Sequence, residues 1–220
     1  MITLTEELLL LTIEDDGKVS HTAGGSEFGT ALLGAALIDL MQLERLDLDL
    51  QAIRRMSTQP TGQPHLDWVL ERVAARGLGA DVPTPMQWLG SLGQDCAALV
   101  RLTLDRLVQR GILTVQNKRV LWVANSRRYP IIQGQQLQEA KLRILSVLLG
   151  NETLPSPHDT ALIGLARVGQ VLEGFMSSAE IERLQDRLDA VGGYDLAVRC
   201  VESAIHNQQL NRAQALLFLY

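Results

Sequence analysis

The sequence predicts a mostly α protein: a single helical-bundle domain over residues 1–220, with one projecting β-hairpin at about 112–124 and a short strand near 45–50. Three observations predict it. Apolar residues recur at helical spacing in most windows of the chain. Strict alternation or β-branched runs occur in only two places. Pro and Gly gather at the joins, with no internal repeat and no linker to mark a boundary. Because 46% of the 220 residues are hydrophobic, the chain can bury one sizeable core.

Thr5-Glu6-Glu7 ahead of Leu8-Leu9-Leu10-Leu11 reads as a capped helix start with acids in its first turn, ending near Asp15-Asp16-Gly17. The carboxylate pairs Glu6-Glu7 and Asp15-Asp16 are adjacent, do not share a helix face, and read as solvated ends. From Glu27 to about Glu44 a long buried helix is expected, and Arg45 to Leu50 alternates as a half-buried strand. Residues 56–64 and 77–85 read as loops around an amphipathic helix from His65 to about Arg76. A helical piece starts at Met86. A strong helix then runs from Cys96 to Arg110 and stops at Gly111.

Ile112-Leu113-Thr114-Val115 and Val120-Leu121-Trp122-Val123 flank the polar turn Gln116-Asn117-Lys118-Arg119, which is the hairpin signal. Helices are expected over Gln135–Leu149, Thr160–Phe175, Ala179–Val191 and about Asp195–Leu219.

Charge is unevenly spread. Residues 1–50 hold ten acids against Lys18 and Arg45, a net of −8, and residues 97–128 hold seven basic residues against Asp105 alone, a net of +6. Such a dipolar chain can present one attractive face to an anionic surface, or the two segments can neutralise each other in the fold. Glu6 and Glu7 stand where a secretory signal would be cationic, and no run of about 18 apolar residues occurs. The expected location is cytoplasmic, peripheral on the cytosolic membrane face. Cys96 and Cys200 each lie within a helical pattern and read as reduced core thiols.

Enzyme chemistry has no foothold in the motifs. Phosphate-loop, dinucleotide, zinc-protease and serine-hydrolase signatures are missing. His21, His65, His158 and His206 lack ligand spacing and read as surface or loop residues, so no metal or cofactor is expected. Gly24-Gly25-Ser26 ahead of a helix is a weak anion-loop signal that Glu27 would oppose.

The basic helix and hairpin do stand out. Arg106 and Arg110 share a helix face, Lys118 and Arg119 sit in the turn, and Trp122 interrupts an aliphatic strand in the manner of a membrane-interface or subunit-contact residue. A rival outline is a winged-helix nucleic-acid binder with Cys96–Arg110 as recognition helix. Leu99, Leu102, Leu104, Leu107 and Val108 leave that helix little polar face to read bases, so nucleic acid is the weaker expectation. Self-assembly through the hairpin is the third reading.

Seven stretches in order resemble the Golgi phosphoprotein 3 family: Leu4 to Leu11, Leu37-Ile38-Asp39-Leu40 through Leu48, Arg54-Arg55, Pro60-Thr61-Gly62 with Leu66-Asp67, Trp88-Leu89, Arg106 through Thr114, and Leu162-Ile163-Gly164-Leu165 through Glu173. The resemblance implies a helical bundle with a projecting hairpin that binds phosphatidylinositol 4-phosphate. It also implies membrane-enzyme clients and self-association through the hairpin. The disordered tail that precedes the Golgi members' domain has no counterpart here, so the resemblance is to a minimal, bacterial-type relative. The family's headgroup positions fall on Gly24, Leu33, Ala97 and Val100, with Arg101 one place away. The family's tryptophan and basic side chains are replaced at these four places. The expectation is therefore a non-enzymatic peripheral adaptor. It would bind an anionic phospholipid surface through Arg54, Arg55, Arg101, Lys118, Arg119, Arg127 and Arg128, with Leu121 and Trp122 contacting membrane or a second copy in a homo-oligomer.

Overall fold

The central helix is buried around nearly its whole circumference because its sequence is apolar or small almost throughout. In the computed structural model, which describes residues 2–76, 83–93, 96–120, 124–150, 155–193 and 195–217, this is α2 (Ser26–Gln42). Every residue from Phe28 to Leu40 is buried, so the helix has almost no polar face. Around it pack α1 (Leu4–Leu10), α3 (Pro64–Arg76), α4 (Pro85–Leu92), α5 (Ala97–Gln109), α7 (Pro157–Val168) and α10 (Leu196–Leu217). A second layer is formed by α6 (Gln135–Leu149) and α9 (Gln185–Gly192) against α7, with α8 (Ser178–Arg183) beside α9. One buried apolar cluster runs from Leu4 to Ile205. The mostly α fold with a β-hairpin is thus as the sequence predicts.

Two small antiparallel sheets complete it. The alternating segment becomes β1 (Leu46–Leu48), and its partner is β2 (Ile53–Arg55), a strand the sequence reading missed. The basic hairpin is β3 (Gln116–Val120) with β4 (Ala124–Arg128), displaced toward the C-terminus from the expected 112–124. The displacement has a cause. Ile112 and Leu113 are drawn into the core just after Gly111 turns the chain at φ +70°, and only Leu113 makes a bridge, to Ile131. The apolar run therefore seals the end of α5, and the polar stretch forms the ribbon. Lys118 and Arg119 lie within β3 instead of at the turn.

Other boundaries also shift. The first helix is capped by Thr3, whose hydroxyl accepts from Glu6 N–H while the Glu6 carboxylate accepts from Thr3 N–H, and the helix ends at Leu10. The expected helix to Phe175 stops at Val168, where Gly169 and Gln170 (φ +57°) turn the chain. The expected helix 179–191 breaks at Leu184 into α8 and α9.

The main correction concerns charge. Glu6 and Glu7 are buried at the centre of ion pairs, whereas the sequence reading made them solvated ends. Glu6 accepts from Arg110 at 2.7 Å, with Arg106 at 3.8 Å. Glu7 is held by Arg143 from α6 and by His158 Nε2 at 2.6 Å from α7, and Arg143 also bonds Asp159 at 2.8 Å. Asp39 of α2 accepts from Leu4 N–H, Thr5 N–H and the Thr5 hydroxyl at 2.9, 2.9 and 2.6 Å, capping α1 from a neighbouring helix. Burial pushes the Asp39 carboxyl above its usual range despite these donors.

Asp39→Ala strands three buried donors and should cost about 3 kcal/mol or more in urea unfolding, with Asp39→Asn intermediate. The buried His65 and the half-buried His158 act on stability in opposite directions. The Glu7 hydrogen bond raises His158 above 6.5 against the opposing effect of burial. Its contribution is complete below that value and is lost as pH rises through the elevated folded value. His65, fully buried with neither ring nitrogen hydrogen-bonded, is pushed down to about 4 by burial and then by Arg106. The unfolded chain binds that proton first, so about 3 kcal/mol is lost as pH falls from 6.5 toward 4. Urea midpoints against pH should show His158→Gln flattening the alkaline decline and His65→Leu the acid one.

Candidate functional site

Two of the longer helices begin without a side-chain cap at the same place. Gly25, extended at φ −80° and ψ 155°, is the N-cap of α2, and Cys96 is the N-cap of α5; neither offers its side chain to the helix. Both residues line a cavity of about 500 Å³ closed on its far side by the base of the hairpin, through Arg127 and Tyr129. Exposed helix N–H groups and the positive end of the helix dipole suit such a place to an anion.

The cavity floor requires a close backbone approach. A side chain at Gly29 would collide with the Gly93 carbonyl, so only glycine lets α2 pass beneath the end of α4. The Cys96 thiol donates across this crossing to Gly29 O at 3.2 Å and to Leu92 O at 3.3 Å. Both cysteines are buried and free. The walls are mainly apolar, from Val19, Ala23, Val100 and Leu104.

Glu27, which the sequence sets against an anion at this loop, does not line the cavity. Its carboxylate turns to the Ser26 hydroxyl at 2.9 Å and to Arg212 of α10 at 3.3 Å. Burial raises its pKa, but its own N–H, Ser26 and Arg212 outweigh that and leave it below the usual carboxylate range.

Of the seven basic residues singled out from the sequence, the structure brings Arg101 and Arg127 together on this cavity. Arg101 is mostly exposed and loosely paired with Asp105 at 3.8 Å, and Arg127 makes no ion pair among the described residues. The others lie elsewhere or are held. Arg128 bonds Asp16 at 2.6 Å. Arg54 is held by Asp49 and lies 3.5 Å from Asp47, while Arg55 donates to the carbonyls of Ser57 and Thr58, both on the β1–β2 side of the molecule. Register puts positions 119 and 127 in one alternation class of the ribbon and 118 in the other, but the side chains of Lys118 and Arg119 lie outside the described residues. So do Leu121 and Trp122 altogether. Arg106 and Arg110 are committed to Glu6, and the face of α5 carrying Leu99, Thr103 and Leu107 is buried against α1, α2 and α3.

Of the four positions that the sequence resemblance singled out, Gly24, Ala97 and Val100 line the cavity, while Leu33 is buried in the core. Tyr129 was missed from sequence because its role depends on the turn at 13–19. Its N–H donates to Gly17 O at 2.6 Å.

Two further cavities differ in charge. One of about 460 Å³ is edged by Glu14 and Asp15; in the other, of about 390 Å³, Arg167 is held by Glu202 and by Asp189. Among the described residues, no group of three or more His, Cys, Asp or Glu is placed to hold a metal ion, and no helix is long and apolar enough to cross a membrane.

The arrangement defines a class: an all-α domain whose hairpin base overhangs a cation-rimmed cavity at the starts of two core helices. The chain belongs to the Golgi phosphoprotein 3 (GPP34) family, whose sequence model matches residues 4–208. No curated protein matches the chain closely enough to count as a relative.

The hairpin base is fixed by Gly17, at φ +78°, where a Cβ would lie 2.6 Å from Pro130 N. Gly17→Ala should push Tyr129 and Pro130 away and break the Gly17–Tyr129 hydrogen bond. Amide exchange at Tyr129 and Thr114 should accelerate at least tenfold while α2 amides remain protected.

Proposed function

We propose that this protein is a peripheral membrane-binding module that docks on anionic phospholipid at the cavity between α2, α5 and the hairpin base, and that it binds without catalysing a reaction. The observation that carries the reading is the convergence of Arg101 from α5 and Arg127 from β4 on a mainly apolar cavity at two helix starts without side-chain caps. A phosphate oxygen accepts charge-assisted bonds from guanidinium groups, and the apolar walls suit the lipid's glycerol region. Membership of the Golgi phosphoprotein 3 family favours a lipid over a free anion. Position 119 of β3 shares the alternation class of Arg127 in the ribbon, and each cation near a membrane surface adds about 1 kcal/mol of attraction to anionic lipid. In this proposal the hairpin apex is left for a membrane-protein client or a second copy.

Vesicles containing an anionic phospholipid should sediment the full chain, and the bound fraction should fall as salt is raised. Arg101→Ala with Arg127→Ala should reduce binding roughly tenfold or more. Arg54→Ala with Arg55→Ala removes the same two charges, from guanidinium groups already held by Asp49 and by the Ser57 and Thr58 carbonyls, and should change binding little. Equal loss in the two variants would mean that diffuse charge, not the cavity, attracts the protein. Binding to duplex DNA with a steep salt slope, and none to vesicles, would replace the reading with nucleic-acid recognition.

A further inference from the structure

We propose that the C-terminal end of α10, with the apolar residues that follow it in the sequence, is a second membrane contact that enters the acyl region beside the docked cavity. This rests on the anionic-lipid reading above and adds an apolar anchor to it.

The placement follows from how α10 crosses the bundle. It runs antiparallel to α2: Val201 packs against Gly34, and further on Arg212 reaches the start of α2, where it bonds Glu27 at 3.3 Å and the Ser26 hydroxyl. Gln208 Nε2 donates to Gly90 O at 2.8 Å, which ties the same stretch to the end of α4. There α2 has ended, but α10 continues to Leu217, a further length of about 7.5 Å. The overhang therefore stands at the end of the bundle where Gly24, Gly25 and Gly93 line the cavity.

Its sequence is unlike that of a solvated helix end. Val198, Val201, Ile205 and Gln208 face the core at helical spacing, and then burial stops: every residue from Gln209 to Ala215 is exposed. A helix leaving its bundle is ordinarily kept in water by charge. Here Arg212 is the last charged residue, and residues 213–220 read AQALLFLY. Leu210, already 46% exposed, begins the apolar stretch one turn earlier.

A bilayer suits this segment because of where it stands. With lipid phosphates at Arg101 and Arg127, a helix that overshoots the start of α2 projects to a depth comparable with the roughly 5–10 Å at which apolar helix faces sit in a membrane interface. Arg212, the last cation, stays back at the level of Ser26 and Glu27 and need not be desolvated. Apolar burial is not screened by salt, whereas the attraction of guanidinium groups is, so the two contacts have separable signatures.

The test uses the full chain and phosphatidylcholine vesicles containing phosphatidylglycerol. Leu216→Gln, Leu217→Gln, Phe218→Gln and Leu219→Gln together keep every charge and lie beyond the last buried position of α10, so the thermal midpoint should hold. Sedimentation at high salt should fall roughly tenfold or more in this variant, while the salt-sensitive part persists. An environment-sensitive dye on Ala215→Cys, an exposed position in a chain whose own two thiols are buried, should be quenched more by lipid spin-labelled in the acyl chain than by lipid labelled at the headgroup. Unchanged high-salt sedimentation of the glutamine variant, or stronger quenching from the headgroup label, overturns the anchor and leaves the cavity reading standing. A dye shift that needs no vesicles and grows with protein concentration assigns the segment to contact between copies and also overturns it. Failure of the unmutated chain to bind any anionic vesicle removes the lipid reading and this inference with it.

Discussion

Three carboxylates withdrawn from water around one short helix determine how the other helices are placed. Glu6, Glu7 and Asp39 are all buried, and a carboxylate in that position is tolerable only if donors surround it. The donors come from different elements. Asp39 brings α2 against the start of α1, Glu6 takes guanidinium groups from the end of α5, and Glu7 takes Arg143 from α6 and His158 from α7. Apolar burial supplies most of the stabilisation here but has no direction. The hydrogen-bonded carboxylates do have direction, and α1 touches α2, α5, α6 and α7 where these bonds fall.

The same hub redraws the surface. Counted along the chain, residues 97–128 carry a strong positive excess. In space, Glu6 absorbs Arg106 and Arg110 from one side, and Asp16 absorbs Arg128 from another. Acidic residues 1–50 thus neutralise part of the basic segment, and also Arg54 within their own neighbourhood through Asp49. Arg101 and Arg127 are left over the cavity, each exposed. A net charge read from sequence overstates the docking surface whenever part of it is spent inside, because a pair closed at hydrogen-bond distance has little field left to attract a third partner.

What the sequence disclosed follows from how locally each feature is encoded. The helices over 27–44, 65–76, 96–110 and 135–149 emerge almost as read, because their apolar periodicity and a stop such as Gly111 are properties of the segment itself. Strand β2 was invisible: Ile53-Arg54-Arg55 is too short and polar to signal a strand, and it becomes one only by pairing with Leu46–Leu48. The hairpin moved because Ile112 and Leu113 gain more from the core than from the ribbon, a competition decided by tertiary structure. Glu6 and Glu7 resemble any acidic first turn until the arginines of distant helices arrive. At the cavity, Gly24, Ala97, Val100 and Arg101 are legible in the sequence, but the pairing of Arg101 with Arg127 exists only once the hairpin folds back.

Fold and site also share their supports, which limits how independently either can change. From the Thr3 cap to Ser20, one stretch of chain first carries the buried carboxylates and then makes the turn in which Ile13 bridges Val19. Ser20 N–H bonds Thr12 O at 2.9 Å, so the turn is tied to the end of α1. Gly17 O and the Asp16 carboxylate then grip Tyr129 and Arg128, the residues beside Arg127. Val19 and Ala23 continue directly into the cavity wall. Displacing α1 would therefore carry the turn with it, move the hairpin base, and alter the separation of Arg127 from Arg101 on α5. Because α5 is itself held to α1 through Glu6, the two arginines are referenced to the same short helix from opposite sides. The charge hub thus fixes the spacing between the guanidinium groups on which an anion would have to close.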